Sequence, residues 1–336
     1  MKKSFITILS LLIILSTMGC GSPEPVSMPA EAEPAEAETA EVEPVEAIEK
    51  FTIAYIPPAL ISPYFIKLGD AMKEAAANYP NIEILVLAPS SESDINEQVR
   101  IIEDMTEKGV DLIALSTASR EGVTPALEAA IKKGVQVVEI DQTEPISGLG
   151  ELAVLGVDQV KGGEIAGEFA VSLLEGKGKI AILEGITGDS NSVLRPQGFQ
   201  NITDQYPDIE IVTIQPAKWE RAQGMSTAEN IIQAFPDLNL IWGLNDNMAL
   251  GALQAVQNAN LTSQIYVMGY NGDDEAKQSV KEGGLVATVA QQPAEIGKTI
   301  VDIAIKLIEG NEDEIQQVYL IPVALVNQEN VDDFIE

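Results

Sequence analysis

The stretch FTIAYIPPALISPYFIKLGDAMKEAAANYPNIEILVL, residues 51–87, holds one full cycle of the pattern from which the rest of the chain is built. Phe51–Ile56 is rich in β-branched and aromatic residues and reads as a strand. Tyr64–Ala77 places Phe65, Leu68, Met72 and Ala75 at helical spacing, and Ile82–Leu87 (IEILVL) is a second strand. Outward from this unit the alternation continues. Helices are expected over Asp94–Lys108, Pro125–Lys133, Gly162–Leu174, Val193–Tyr206, Gln223–Ala234, Asn247–Gln257, Asp273–Glu282 and Pro293–Glu309. Strands are expected over Leu112–Leu115, Val135–Ile140, Ala153–Leu155, Lys179–Leu183, Ile209–Ile214, Leu240–Gly243, Ile265–Gly269, Leu285–Ala290 and Val318–Val326. Lys108-Gly109 and Lys133-Gly134 stop helices where the pattern requires it. Apolar strands alternating with amphipathic helices imply an α/β fold with parallel sheets covered on both faces. The rhythm falls into two similar halves, roughly 51–150 and 155–290, so two doubly wound lobes are expected. Ligands of such sheets sit outside the carboxyl ends of the strands, and a cleft between two lobes is a natural small-molecule site.

Composition limits the chemistry. The chain of 336 residues has no histidine and one cysteine, Cys20. Ser-His-Asp and Cys-His arrangements are excluded, as are His-containing zinc sites and a disulfide framework. Carboxylate-only chemistry, as in glycosidases or magnesium and calcium sites, stays open. The adjacent pair Asp273-Asp274 reads as a helix start rather than an acid pair for catalysis. There is no P-loop and no GxGxxG, and Gly176-Lys177-Gly178-Lys179 is a turn before a strand. No cofactor and no metal site is implied. The net charge is −32; Lys2, Lys3 and a net −8 over residues 21–50 leave −26 for residues 51–336. So acidic a surface repels nucleic acid and gives no attraction to anionic lipid.

The first fifty residues read as export and tethering. Lys2 and Lys3 precede an apolar run, Phe5–Leu15, which is too short to cross a bilayer core needing roughly 20 residues. Ser16, Thr17 and Gly19 lead to Cys20. This layout resembles a bacterial lipoprotein signal (residues 1–20), in which the cysteine becomes the lipidated first residue, although Thr17 stands where that class usually has Leu. An ordinary cleaved signal is the alternative. Residues 21–50, mostly Pro, Glu and Ala without an aromatic, are expected to form a disordered acidic tether.

Several ordered segments carry a further resemblance: TIAYIPPALISPYF (52–65), VVEID (137–141), GVDQVKGGEIAG (156–167), ILEGITGDSNSVLRPQGF (182–199), NDNMALGA (245–252), VMGYNG (267–272) and VATVAQQP (286–293). In these the chain is similar to the periplasmic sugar-binding proteins of ABC importers, of the ribose-binding type, over nearly all of 51–326. The resemblance implies the type I periplasmic binding protein fold with a three-segment hinge. It would place 51–157 plus 292–321 in an N-terminal lobe and 158–291 plus 322–336 in a C-terminal lobe. It also implies a neutral sugar or polyol ligand, an ABC permease as membrane partner, a lipid anchor, a monomer, and a location in the cell envelope outside the cytoplasm.

The same resemblance implies a site of Ser62, Tyr64, Phe65, Asp141, Gln142, Arg195, Trp219, Asn245, Asn271 and Gln291. Sugars need planar polar partners for their hydroxyls and aromatic rings for their C–H faces, and these residue types supply both. Tyr64, Phe65 and Trp219 would clamp the ring, and Asp141 and Arg195 would make charge-assisted bonds to hydroxyls. Tyr64 and Phe65 also fit a helix-start core, Asp141 a turn cap, and Arg195 a surface ion pair. Asn245 is expected to face ligand while Asp246 caps the helix. The ribose binders have Asn at Ser62, Arg at Gln142, Ser at Val157 and Asp at Asn271, so one charge of each sign leaves those positions. A sensor presenting a ligand to a chemoreceptor or kinase would share this fold. So would a repressor of the lactose type, but its basic helix-turn-helix is replaced here by a signal and an acidic tether.

Overall fold

Strands that are apolar on both faces need helices on both faces, and each half of the chain supplies them. The computed structural model describes residues 50–117 and 119–335. The signal, Cys20 and the tether before Lys50 lie outside the described residues. The first half runs β1 (Phe51–Ile56), α1 (Pro63–Ala76), β2 (Ile82–Val86), α2 (Ile95–Lys108), β3 (Leu112–Leu115), α3 (Arg120–Lys132), β4 (Gln136–Ile140) and β5 (Ala153–Gly156). The second runs α4 (Gln159–Leu173), β6 (Lys177–Glu184), α5 (Ser190–Thr203), β7 (Asp208–Pro216), α6 (Arg221–Ala234), β8 (Leu240–Gly243), α7 (Asp246–Asn258), β9 (Tyr266–Asn271), α8 (Asp274–Lys281) and β10 (Ala287–Ala290). The chain closes with α9 (Pro293–Glu309), β11 (Val318–Leu320) and β12 (Ala324–Asn327).

Two six-stranded sheets result, ordered β11-β5-β4-β3-β1-β2 and β12-β10-β9-β8-β6-β7. The first is parallel throughout, whereas in the second β12 runs antiparallel to β10. Strand order is the same in both, so β1 and β6 hold equivalent places beside the point where each sheet reverses direction. The chain passes between sheets three times: after β5, after β10 and between β11 and β12. Alternation along β1 divides the first core. Ile53 and Tyr55 pack with Leu68 and Met72 of α1 and Ile296 and Ile300 of α9, while Ala54 and Ile56 pack with Ile102, Val123 and Leu127 of α2 and α3. In the second lobe Phe199 and Trp242 stack 4.5 Å apart inside a single core cluster.

Most element ends lie within three residues of the sequence expectation, and two elements differ more. The helix expected from Pro125 begins at Arg120, because Ser119 caps it by accepting from the Gly122 N–H. The single strand expected over Val318–Val326 is two strands in different sheets. Pro322 lies between them, has no N–H for a ladder, and marks the third crossing.

Helices α4 and α5 touch backbone to backbone at glycines. A Cβ on Gly163 would lie 2.1 Å from the Arg195 carbonyl oxygen, and one on Gly198 would lie 1.9 Å from that of Val160. Rigid backbone cannot yield as a side chain does. Gly198→Ala should therefore cost about 1–3 kcal/mol of stability, read as a lower chemical-denaturation midpoint; an unchanged midpoint would refute this reading of the contact.

Candidate functional site

Parallel strands release the chain at their carboxyl ends, and these ends carry the polar residues. Between the two sheets lies a cavity that draws its lining from both. Pro58, Ser62, Tyr64 and Phe65 reach it from the segment after β1, Glu92 from the loop after β2, Ser116 and Thr117 from the end of β3, and Asp141 from the end of β4. The opposite wall is Asp189, Asn191 and Arg195 after β6, Trp219 after β7, Asn245 after β8, Asn271 at the end of β9 and Gln291 after β10. Nine of the ten residues named from the sequence thus line one cavity. Gln142 does not: it is buried beside Gly156, with its N–H bonded to the Leu155 carbonyl, so the turn after Asp141 aims it at the sheet. Val157 is buried away from the cavity too.

Asp141 organises the first wall. Its backbone is left-handed, φ 62°, and its carboxylate accepts from the Tyr64 hydroxyl at 2.6 Å and the Ser116 hydroxyl at 2.6 Å. Burial raises its pKa, against the two hydroxyl bonds and the Arg195 charge. Burial and the Asp141 charge hold the Tyr64 phenol well above its ordinary range. Phe65 meets Tyr64 edge to face, with centroids 5.1 Å apart.

Arg195 organises the second wall. Nε donates to Gln159 Oε1 at 2.8 Å and Nη1 to the Leu244 carbonyl at 2.5 Å. Its guanidinium lies 3.8 Å over the Tyr270 ring and 5.8 Å from that of Trp219, a cation–π arrangement that fixes the group in place without a carboxylate. Lys218 and Trp219 are both left-handed, φ 55° and 66°. The Trp219 ring packs on Gly185, where a Cβ would come within 1.9 Å of it. Asn245 lines the cavity as expected, but the cap expected of Asp246 is also its own. Asn245 is itself the cap of α7, accepting from the Met248 N–H at 2.8 Å, and its amide donates to the Trp219 carbonyl at 3.0 Å. Asp246 is fully buried and instead accepts from the Asp273 N–H and the Thr288 hydroxyl, which holds the loop after β9. Asn271, φ 124°, accepts from Gln291 Nε2 at 2.8 Å. Ser62 is buried at the start of α1 and makes no side-chain cap bond.

The sequence reading missed two acids. Asp189 caps α5 through the Asn191 and Ser192 N–H groups, yet burial lifts its pKa to about 6. Glu92 is only 7% exposed, and burial together with Asp189, Asp141 and Glu220 lifts its pKa to about 8. The SSESD segment that carries Glu92 has the composition of a loop before a helix. The rule that every strand's carboxyl end faces the cleft was the signal that would have found it. Across the cleft mouth Lys67 of α1 pairs with Asp274 of α8 at 2.7 Å. Among the described residues no cluster of His, Cys, Asp and Glu is arranged to hold a metal ion.

Comparison with known proteins fits this geometry. Residues 53–312 match the family described as periplasmic binding protein domain. The chain belongs to that family. It is 33% identical over 328 residues to the ribose import binding protein RbsB of Bacillus subtilis strain 168, covering 98% of this chain and 100% of that one. It resembles the crystal structure of an ABC transporter periplasmic solute-binding protein from Actinobacillus succinogenes 130z with bound D-allose: TM-score 0.78, 31% identity, 84% of this chain and all of that one. A solute-binding protein from Bacillus halodurans C-125 with bound myo-inositol superposes with TM-score 0.77 at 26% identity, over 85% and 98% of the two chains. These place it in the sugar-binding, ribose-type branch, whose members here are binding proteins, and periplasmic binding proteins work outside the cytoplasm.

Acids whose pKa is raised on folding bind protons more tightly folded than unfolded, so their ionisation opposes the native state. Stability is then fully present below the unfolded pKa and is lost as pH rises through the folded one. For Glu92 the window runs from its ordinary 4.5 to about 8. The ligand-free protein should lose melting temperature as pH rises through this window, and Glu92→Gln should flatten the slope. Melts with equal slopes in the two proteins would contradict it.

Proposed function

We propose that this protein is the substrate-binding component of an ABC importer, capturing a monosaccharide or polyol between its two lobes and presenting it to a membrane permease. The carrying observation is a cavity walled from both sheets by three aromatic rings and several planar polar groups. Tyr64, Phe65 and Trp219 supply faces for the C–H surface of a ring. Asp141 and Arg195 meet hydroxyls with charge-assisted bonds, worth about 1.5–3 kcal/mol each. Ser62, Asn245, Asn271 and Gln291 complete the polar lining. The lobes would be 51–157 plus 292–321 and 158–291 plus 322–336, hinged at the three crossings. Closure brings Lys67 to Asp274 and creates the outer surface a permease reads.

A relative named for ribose and similar structures solved with D-allose or myo-inositol support a sugar or polyol as the ligand. The polar side chains at Ser62 and Asn271 differ from those of ribose binders, and both line the cavity. A site built for particular hydroxyls rejects analogues sharply. Calorimetric titration with pentoses, hexoses, deoxysugars and cyclitols should find a binder tighter than D-ribose. Ribose as the tightest ligand would overturn the specificity reading, and no binding across the panel would overturn the function.

The protein is further proposed to be held at the membrane by lipid on Cys20, with residues 21–50 as the tether. One acyl chain gives marginal anchoring and two make it stable. Mass spectrometry of the mature protein should find its N-terminus at a diacylated Cys20; an unmodified terminus elsewhere would mean free diffusion.

A further inference from the structure

Several donors of the cavity wall already have partners within the wall. The Tyr64 and Ser116 hydroxyl protons are committed to Asp141, the Asn245 amide to the Trp219 carbonyl, and the Gln291 amide to Asn271. Arg195, the cation among the cavity's lining residues, has Nε and Nη1 committed to Gln159 and the Leu244 carbonyl. Against these stand three carboxylates: Asp141, Asp189 and Glu92. Two more acceptor atoms, Asn191 Oδ1 and Gln291 Oε1, are buried without a donor.

Glu92 is the unbalanced group. Asp141 has two hydroxyl donors and Asp189 two backbone donors. Glu92 is more than nine-tenths buried, lines the cavity, and accepts no hydrogen bond among the described residues. The charges acting on it are Asp189, Asp141 and Glu220, all negative, and no described cation offsets them. A carboxylate that lines a cavity among like charges and accepts no bond has no counter-charge beside it when ionised, and the cavity is open to one. An ammonium offers three donors, a positive charge and no acceptor, which is what these groups lack.

We propose that the ligand carries a protonated amine beside its hydroxyls, as an amino monosaccharide or amino polyol does, and that Glu92 is the residue that selects it. This rests on the sugar-binding reading above and adds the charge of the ligand, for which the sequence alone suggested neutrality. The amine sits between Glu92 and Asp189, while the sugar hydroxyls meet Asp141, Arg195 and the amides. Because Glu92 holds a proton at neutral pH in the empty site, capture of an ammonium releases it.

The test is calorimetric titration at pH 7 with D-glucosamine, D-galactosamine, D-mannosamine, 3-amino-3-deoxy-D-glucose and glucamine, each beside its hydroxyl parent. At least one amino compound should bind about tenfold or more tighter than its parent, the factor expected of one charge-assisted bond. Its binding heat should vary with the buffer's ionisation enthalpy, reporting proton release. In Glu92→Gln the preference should collapse toward parity, with melting curves establishing that the variant is folded. Parents binding as tightly as their amino derivatives in the wild-type protein would overturn this inference and leave the sugar reading standing. A preference that survives Glu92→Gln would overturn the role of Glu92. No binding by either set would overturn both readings.

Discussion

Parallel strands all leave their sheet at the same edge, and that constraint decides where this protein can meet a ligand. Whatever a loop's sequence, if it follows a strand it emerges beside the loops that follow the others. Here the rule acts twice, in two sheets with the same strand order, and each residue lining the cavity lies at or after a strand's carboxyl end. Neither sheet holds enough polar groups to surround a small molecule. Facing each other across three connecting segments, they do. The glycine contacts between α4 and α5 serve the same end, since the close approach at Gly163 fixes the turn that carries Arg195.

Holding polar groups in place inside such a cleft has a structural cost that appears in the backbone. Asp141, Lys218, Trp219 and Asn271 adopt positive φ without being glycine, conformations that cost of order 1–3 kcal/mol each. Three of the four side chains line the cavity. Each strained residue that does so is pinned by neighbours: Asp141 by two hydroxyls, Trp219 by Asn245 and by the space over Gly185, Asn271 by Gln291. The strain is kept because several bonds over-determine it. The result is a first wall and a second wall whose groups are oriented before any ligand arrives, which reduces the ordering cost of capture.

The regular elements were legible because period-2 and period-3.6 patterns are strong signals, and β1, β3, β8 and α9 begin and end where the pattern put them or within a residue. The failures have local causes. Ser119 capped a helix that the eye started at Pro125, and Pro322 divided an apolar run that looked continuous. Nine of the ten residues named through resemblance line the cavity, but their orientation was not legible. Gln142 follows Asp141 in sequence, yet the left-handed turn at Asp141 sends it toward the sheet. Asn245 took the cap expected of Asp246 while still lining the cavity, because which of two adjacent polar residues caps a helix depends on where the first helical turn closes. Glu92 was invisible for a different reason: its importance comes from burial and from what surrounds it, and neither is written in SSESD.

That acid separates what folding explains from what it does not. Asp246 is more deeply buried than Glu92, and its pKa too is raised well above the ordinary range, but it receives the Asp273 N–H and the Thr288 hydroxyl and fastens the loop after β9. Asp189 begins a helix. Asp141 joins β3, β4 and α1 through Ser116 and Tyr64. Each of these carboxylates would be kept for the fold alone, because removing it would leave donors unsatisfied. Removing the Glu92 carboxyl would leave none, and would end the cost of ionising it among Asp189, Asp141 and Glu220. A residue that burdens the empty protein and supports no element of it is one whose benefit lies in the occupied state, where the ligand supplies the positive charge that no described residue sets against Glu92.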